Sequence, residues 1–270
     1  MDSWKSKPTP IGEQAMKSKQ SITRRLFILV ISIAIVVGSL TVLNKYFDNL
    51  IESPRGPREF SVWNDYRIDP KTILEKLDQG GQEVFTPVLV TPVDYEKIYQ
   101  QPFQWMQADY LKIANALHLY IWKEPLEDWL LYDMSFYGDC RYNPVGFDLF
   151  KSIFIKYDGA RKYTAHEIDI YPLYAGVSVA EETNLEQPMF DLGSVNLNKL
   201  KVTVDDALRI AEENGGRNFR LAIKNQCNMS FRISSNNQVW YINYSNQDSS
   251  SVFEMSIDPY TEKYKLLNTQ

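Results

Sequence analysis

The chain has 270 residues, only two cysteines and a net charge of −5. That length leaves room for a sizeable core, and two cysteines exclude a disulfide-dense scaffold. The acidic balance removes the electrostatic footprint of a nucleic-acid binder, so no nucleic-acid partner is expected.

The first 25 residues form a short basic tail, with Lys5, Lys7, Lys17, Lys19, Arg24 and Arg25 against Asp2 and Glu13. Residues 26–43, LFILVISIAIVVGSLTVL, hold no charged residue. Eighteen helical residues reach roughly 27 Å, close to the hydrocarbon thickness of a bilayer. The spacing therefore predicts an N-terminal transmembrane helix, with Leu26–Leu43 as the membrane contact. The positive flank predicts a cytoplasmic N-terminus and an extracytoplasmic C-terminal region on a single-pass protein. A cleaved signal peptide is the rival. It needs a shorter apolar core and a small-x-small cleavage site, and no Ala-x-Ala-like site follows Gly38 and Ser39. A buried core helix is the third option. With the chain at −5 and the tail at +4, the rest carries −9. That charge suits solubility better than a cation-binding role.

Residues 44–66 read as a stalk, because Pro54, Gly56 and Pro57 interrupt any periodic apolar pattern. Asp69-Pro70 opens a short helix through Ile73, Leu74 and Leu77 that stops at Gly80-Gly81. Val84 to Val93 contains Pro87 and Pro92 and reads as an edge strand or connector. Gln104 to Lys123 is the best soluble helix, with Met106, Tyr110, Ile113, Leu117 and Ile121 on one apolar face and Pro125 beyond its end.

Strands are expected at Leu126–Tyr137, at Phe147–Tyr157 before Asp158-Gly159, and at Tyr163–Val179 with a break at Pro172 or Gly176. Ala180 to Asn198 reads as a polar loop. Thr203 or Asp205 caps a helix through Ala207, Leu208, Ile210 and Ala211, ended by Asn214-Gly215-Gly216. Strand-like runs follow at 219–224, 229–234, 239–245, 252–257 and 264–267. The expected fold is α+β: the transmembrane helix, then an exported region of antiparallel sheet or sheets with helices packed on one face. Each half shows a helix followed by a meander, so two similar units from a duplication are an option. Residues 67–200 form the first exported domain and 201–270 the second unit.

That second unit resembles the PepSY family. The resemblance lies in Val202-Thr203-Val204-Asp205-Asp206-Ala207-Leu208-Arg209-Ile210-Ala211, in Val239-Trp240-Tyr241-Ile242-Asn243-Tyr244, and in Phe253 to Thr261. Glu262 stands where the family has a glycine, which weakens the final turn because Gly tolerates positive φ best. The resemblance implies a small antiparallel sheet on a helix in an exported or membrane-attached protein, with a regulatory or inhibitory role, often toward proteases, and no enzymatic activity of its own.

The search for chemistry returns no catalytic, cofactor-binding or metal residue. His118 reads as a helix-surface or boundary residue. His166-Glu167-Ile168-Asp169-Ile170 departs from the HExxH zinc pattern, and strand alternation sends His166 and Glu167 to opposite faces. His118, His166, Cys140 and Cys227 have no metal-ligand spacing. The two cysteines could pair in an oxidising compartment or stay as buried thiols, and spacing leaves both open. No Gly-x-Ser-x-Gly elbow or phosphate loop is present. Glu127-Asp128, Glu181-Glu182 and Asp205-Asp206 are sequence neighbours that diverge, and Asp205-Asp206 suits a helix start. A two-carboxylate hydrolase remains open, because its acids can come from distant strands. Trp105, Trp122, Trp129 and Trp240 read as packing residues sooner than as a recognition groove. The expected function is a membrane-anchored extracytoplasmic binding or regulatory protein that recognises a protein or peptide partner. An envelope hydrolase and a structural subunit of a membrane complex are the alternatives.

Overall fold

The computed structural model describes residue 60 and residues 62–68, 70–79, 88–90, 97–142, 146–159, 162–186 and 192–269. The run at residues 26–43 lies outside the described residues. Among the described residues, no helix is long and apolar enough to cross a membrane.

Among the described residues, ten strands form one antiparallel sheet: β1 (Trp63–Arg67), β2 (Val88–Val90), β3 (Leu130–Asp139), β4 (Leu149–Tyr157), β5 (Lys162–Tyr171), β6 (Gly176–Glu186), β7 (Cys227–Ser234), β8 (Trp240–Asn246), β9 (Val252–Ile257) and β10 (Tyr264–Thr269). The order across the sheet is β10-β9-β8-β7-β3-β4-β5-β6-β1-β2. The helices are α1 (Pro70–Asp78), α2 (Gln107–Trp122), α3 (Val204–Ala211) and α4 (Arg217–Ala222).

This corrects the expected α+β arrangement of helix-plus-meander units, while the expected transmembrane helix lies outside the described residues. The described chain is sheet-dominated, and a single sheet runs through residues 67–200 and 201–270 alike. β3 and β7, the first strands of the two meanders, pair from Asp133↔Ser234 to Asp139↔Asn228. The physical reason is edge satisfaction: joining them leaves neither meander with an open inner edge. Period-two patterning tells which residues face the core, but not which strands pair. Three further expectations change. Trp63 to Tyr66, placed at the end of a stalk, form most of β1 and pair with β6. The loop expected from Ala180 is instead the second half of β6, whose outer residues are mostly exposed and so carry no apolar alternation. Phe219–Lys224, expected as a strand, lies largely in α4.

The larger core lies on one face, and a smaller buried cluster with Tyr132, Ile155, Tyr163 and Ala180 lies on the other. Phe136, Phe150, Ile168 and Ile170 from β3–β5 and Phe231, Ile242 and Met255 from β7–β9 meet Tyr110, Ile113 and Leu117 of α2 and Val204, Ala207 and Ala211 of α3. The two helix starts cap each other. Asp205 Oδ2 accepts from the Gln107 amide at 3.0 Å, and Gln107 Oε1 accepts from the Val204 amide at 2.8 Å. Thr203 and Asp206 close a capping box on α3, as its sequence predicts. Past α3 the chain turns at Gly215 (φ 122°), and Gly216 sits where a Cβ would lie 2.9 Å from the Tyr244 ring. Cys140 and Cys227 continue the β3–β7 register and form a disulfide with Cα atoms 5.2 Å apart.

Candidate functional site

β5 carries the densest chemistry in the described chain, and it shows different chemistry to each face. His166 and Ile168 point to the helical side, while Glu167 and Asp169 point to the other, as strand alternation requires.

On the helical side His118 and His166 are buried, 0% and 3% exposed. His118 is therefore not the surface residue expected: it belongs to the buried stripe of α2 that runs through Tyr110, Ile113, Ala114 and Leu117. His118 Nε2 lies 2.8 Å from His166 Nδ1, and His118 Nδ1 lies 2.7 Å from the Glu124 carbonyl. A carbonyl only accepts, so His118 Nδ1 carries a hydrogen. Its Nε2 then accepts in the neutral ring, and His166 Nδ1 donates. His166 is stacked between Trp122 (centroids 3.9 Å apart) and Trp129 (4.0 Å). Each indole is held in turn: Trp122 Nε1 donates to Glu181, and Trp129 Nε1 donates to Glu124 at 3.1 Å. Lys156 adds an ion pair with Glu124 at 2.7 Å. Burial lowers the pKa of His118 and, with His118 beside it, brings His166 down to about 3. Both rings stay neutral at ordinary pH. The pair is a buried polar joint between α2 and β5. Beside it, Leu111, Leu126, Trp129, Phe154, Val195 and Leu197 line a cleft of about 460 Å³.

On the other side Lys151 of β4 stands opposite Asp169, and Ser178 of β6 stands opposite it from the far neighbour. Lys151 Nζ donates to Asp169 Oδ2 and lies 3.8 Å from Glu167 Oε1. Tyr171 Oη donates to the same Asp169 Oδ2 at 3.1 Å. Next along the face, Arg232 Nε donates to Asp133 Oδ2 at 2.8 Å, and Ser135 Oγ donates to Asp133 Oδ1 at 3.1 Å. Ser178 Oγ donates to Asp65. Asp169 is 1% exposed. Burial raises the pKa of both acids on β5. Glu167, with Asp169 as the next cause, rises to about 7. Burial works against the Lys151 ammonium, but the Asp169 and Glu167 carboxylates hold its pKa above the usual value.

The structure thus brings His118 to His166 and Cys140 to Cys227, and keeps the two pairs as separate bonds. Among the described residues no group of three or more His, Cys, Asp or Glu could hold a metal ion. Sequence reading missed the Lys151–Glu167–Asp169 group. A signal existed: Lys151 sits amid apolar residues of a strand, and Glu167 and Asp169 share one face of another. Both read as misplaced charges in a half-buried strand.

No family model matches the chain, and no curated protein matches it. A solved structure of a "putative lipoprotein" from Clostridium difficile 630 is similar at 14% identity, covering 65% of this chain and 98% of that chain, with a TM-score of 0.36. At that distance the likeness supports no inference about role.

Proposed function

We propose that the described region is an extracytoplasmic, membrane-associated binding or regulatory module that recognises a protein or peptide partner and is not itself an enzyme. Two features support the location. The uncharged run 26–43 follows a basic tail, and Cys140 and Cys227 are paired, as suits an oxidising compartment. The observation that carries the binding role is the β10 edge. In the sheet, β10 pairs with β9 alone, and Tyr264, Leu266 and Leu267 on it are all exposed. An unpaired edge with outward apolar side chains suits an extended peptide added as a further strand.

A pull-down of the full-length chain from membranes tests the reading. Leu266→Lys places a charge on the edge and should lower recovery of the partner about tenfold, the effect of losing roughly 1.4 kcal/mol of binding. Capture that is indifferent to Leu266→Lys, or turnover of an envelope substrate with nothing captured, defeats it. One observation favours the hydrolase as a second reading: two carboxylates with raised pKa values lie together on β5. Against it, Asp169 is sealed from solvent and engaged by Lys151 and Tyr171.

A further inference from the structure

Asp169 Oδ1 is a buried carboxylate oxygen with no hydrogen-bond partner. A bare acceptor in such a place costs the full desolvation of the group, so native structures seldom keep one. Five side-chain donors of the surrounding strands are committed elsewhere. Lys151 of β4 and Tyr171 of β5 both donate to the other oxygen, Oδ2. Ser178 of β6 donates to Asp65 of β1. Ser135 of β3 and Arg232 of β7 both donate to Asp133. Glu167, on the same face two residues away, shares the Lys151 ammonium with Asp169, its Oε1 lying 3.8 Å from Nζ. An ionised Glu167 has no hydrogen to give, whereas a protonated one has an O–H.

Charge counting agrees with this hydrogen-bond accounting. Among the described residues, Lys151 is the one cation that faces both acids, since Arg232 is engaged with Asp133. Two ionised carboxylates would leave a negative charge unanswered at a site where Asp169 is sealed from water. A carboxyl–carboxylate pair with one proton leaves the site neutral, and like charges this close do not both ionise readily.

We propose that Glu167 and Asp169 hold a single proton between them, the Glu167 O–H donating to Asp169 Oδ1, so that this face of the sheet is a proton-binding site that fills and empties as the surrounding pH changes. Loss of the proton to solvent places a second negative charge among β3, β4, β5 and β6. Asp133 and Asp65 then add to the negative side, with Arg232 answering Asp133 and Lys151 opposing the pair on β5. The inference concerns the sheet itself and is independent of the β10 edge and of any partner.

Infrared spectra of the full-length chain test it. At about pH 6 a protonated-carboxyl stretch should be present, should move when glutamate alone is labelled with carbon-13, and should vanish by about pH 9, on either side of the raised Glu167 value. Glu167→Gln should abolish it. The same variant should remove a slope from thermal unfolding. Relative to the variant, the wild-type folded-to-unfolded ratio should fall by up to about tenfold per pH unit as pH rises from about 5 to about 7, through loss of one bound proton. A spectrum without the band at about pH 6, a band that ignores glutamate labelling, or identical slopes in the two chains overturns the proposal. If Glu167→Gln does not fold, the labelled wild-type spectrum decides alone.

Discussion

His166 and Glu167 are neighbours in sequence, yet the sheet gives them opposite fates. His166 meets an aromatic clamp and a second histidine, where the uncharged form of each ring satisfies its neighbour. Glu167 meets another acid and a lysine, where a charge is present whatever happens. Both sites desolvate their occupants, and burial always disfavours the charged form. For the base, burial lowers the pKa to about 3; for the acid, it raises the pKa to about 7. One strand thus carries two groups whose contributions to stability respond to pH in opposite senses. The helical side is a joint that excludes charge. The open side tolerates it only while Lys151 stays in place.

The largest effect should come from breaking that condition. Lys151→Met removes the ammonium and leaves Asp169 buried without its cation. Removing one partner of a buried pair costs about 3–5 kcal/mol, and partial exposure of Lys151 puts this case near the lower figure. Denaturant unfolding at about pH 8 should show a loss of roughly 3 kcal/mol, shrinking by about pH 5 as the acids take up protons. An equal loss at both values would mean that Lys151 matters through its packed stem and not its charge.

The contrast between the faces is sharpened by acid. An unfolded histidine titrates near 6.5, and folded His166 near 3. Between those values the unfolded chain binds more protons, so this residue's contribution to stability is lost as pH falls. Glu167 titrates near 7 folded and near 4.5 unfolded. There the folded chain binds more protons, so its contribution grows as pH falls from about 7 and is lost as pH rises through that value. Each term is worth up to about 1.4 kcal/mol per pH unit. His166→Phe keeps a ring between the two tryptophans and removes the first term. It also strands His118 Nε2, at about 1–3 kcal/mol near neutral pH. Relative to wild type, that penalty should shrink on acidification from about pH 6.5 to 4.5. A constant penalty would show that His166 does not resist protonation in the folded chain.

The sequence makes the strands and the α2 stripe legible, because burial of one face writes a period into them. α3 is legible too, since Thr203 and Asp206 are a local device. Glu262 adopts φ 64°, the left-handed conformation that the glycine expected in the final turn would take easily. Pairing was not legible. Nothing local in β3 says that its neighbours are β4 and β7, and that choice made one sheet where separate units were expected. The site was hidden for the same reason. Lys151 and Asp169 are eighteen positions apart and meet only through the β4–β5 register. His118 and His166 are forty-eight apart and belong to different kinds of element.

The smallest change asks how strictly the helical side excludes charge. Glu181 Oε2 lies 3.6 Å from His166 Nε2, and its side chain is 42% exposed. If His166 is neutral near pH 7, Glu181 acts only as the acceptor for the Trp122 indole N–H. An amide oxygen serves that role as well as a carboxylate does. Glu181→Gln should then change stability by no more than about 0.5 kcal/mol, as for other exposed charge changes. If His166 carried a proton on Nε2, Glu181 would be its counter-ion beside a buried cation, and the same substitution would cost several times more. Paired denaturation curves of the two chains at about pH 7 separate these cases. A large loss would erase the opposition between the two faces of β5, because both would then be charged sites held by an ion pair.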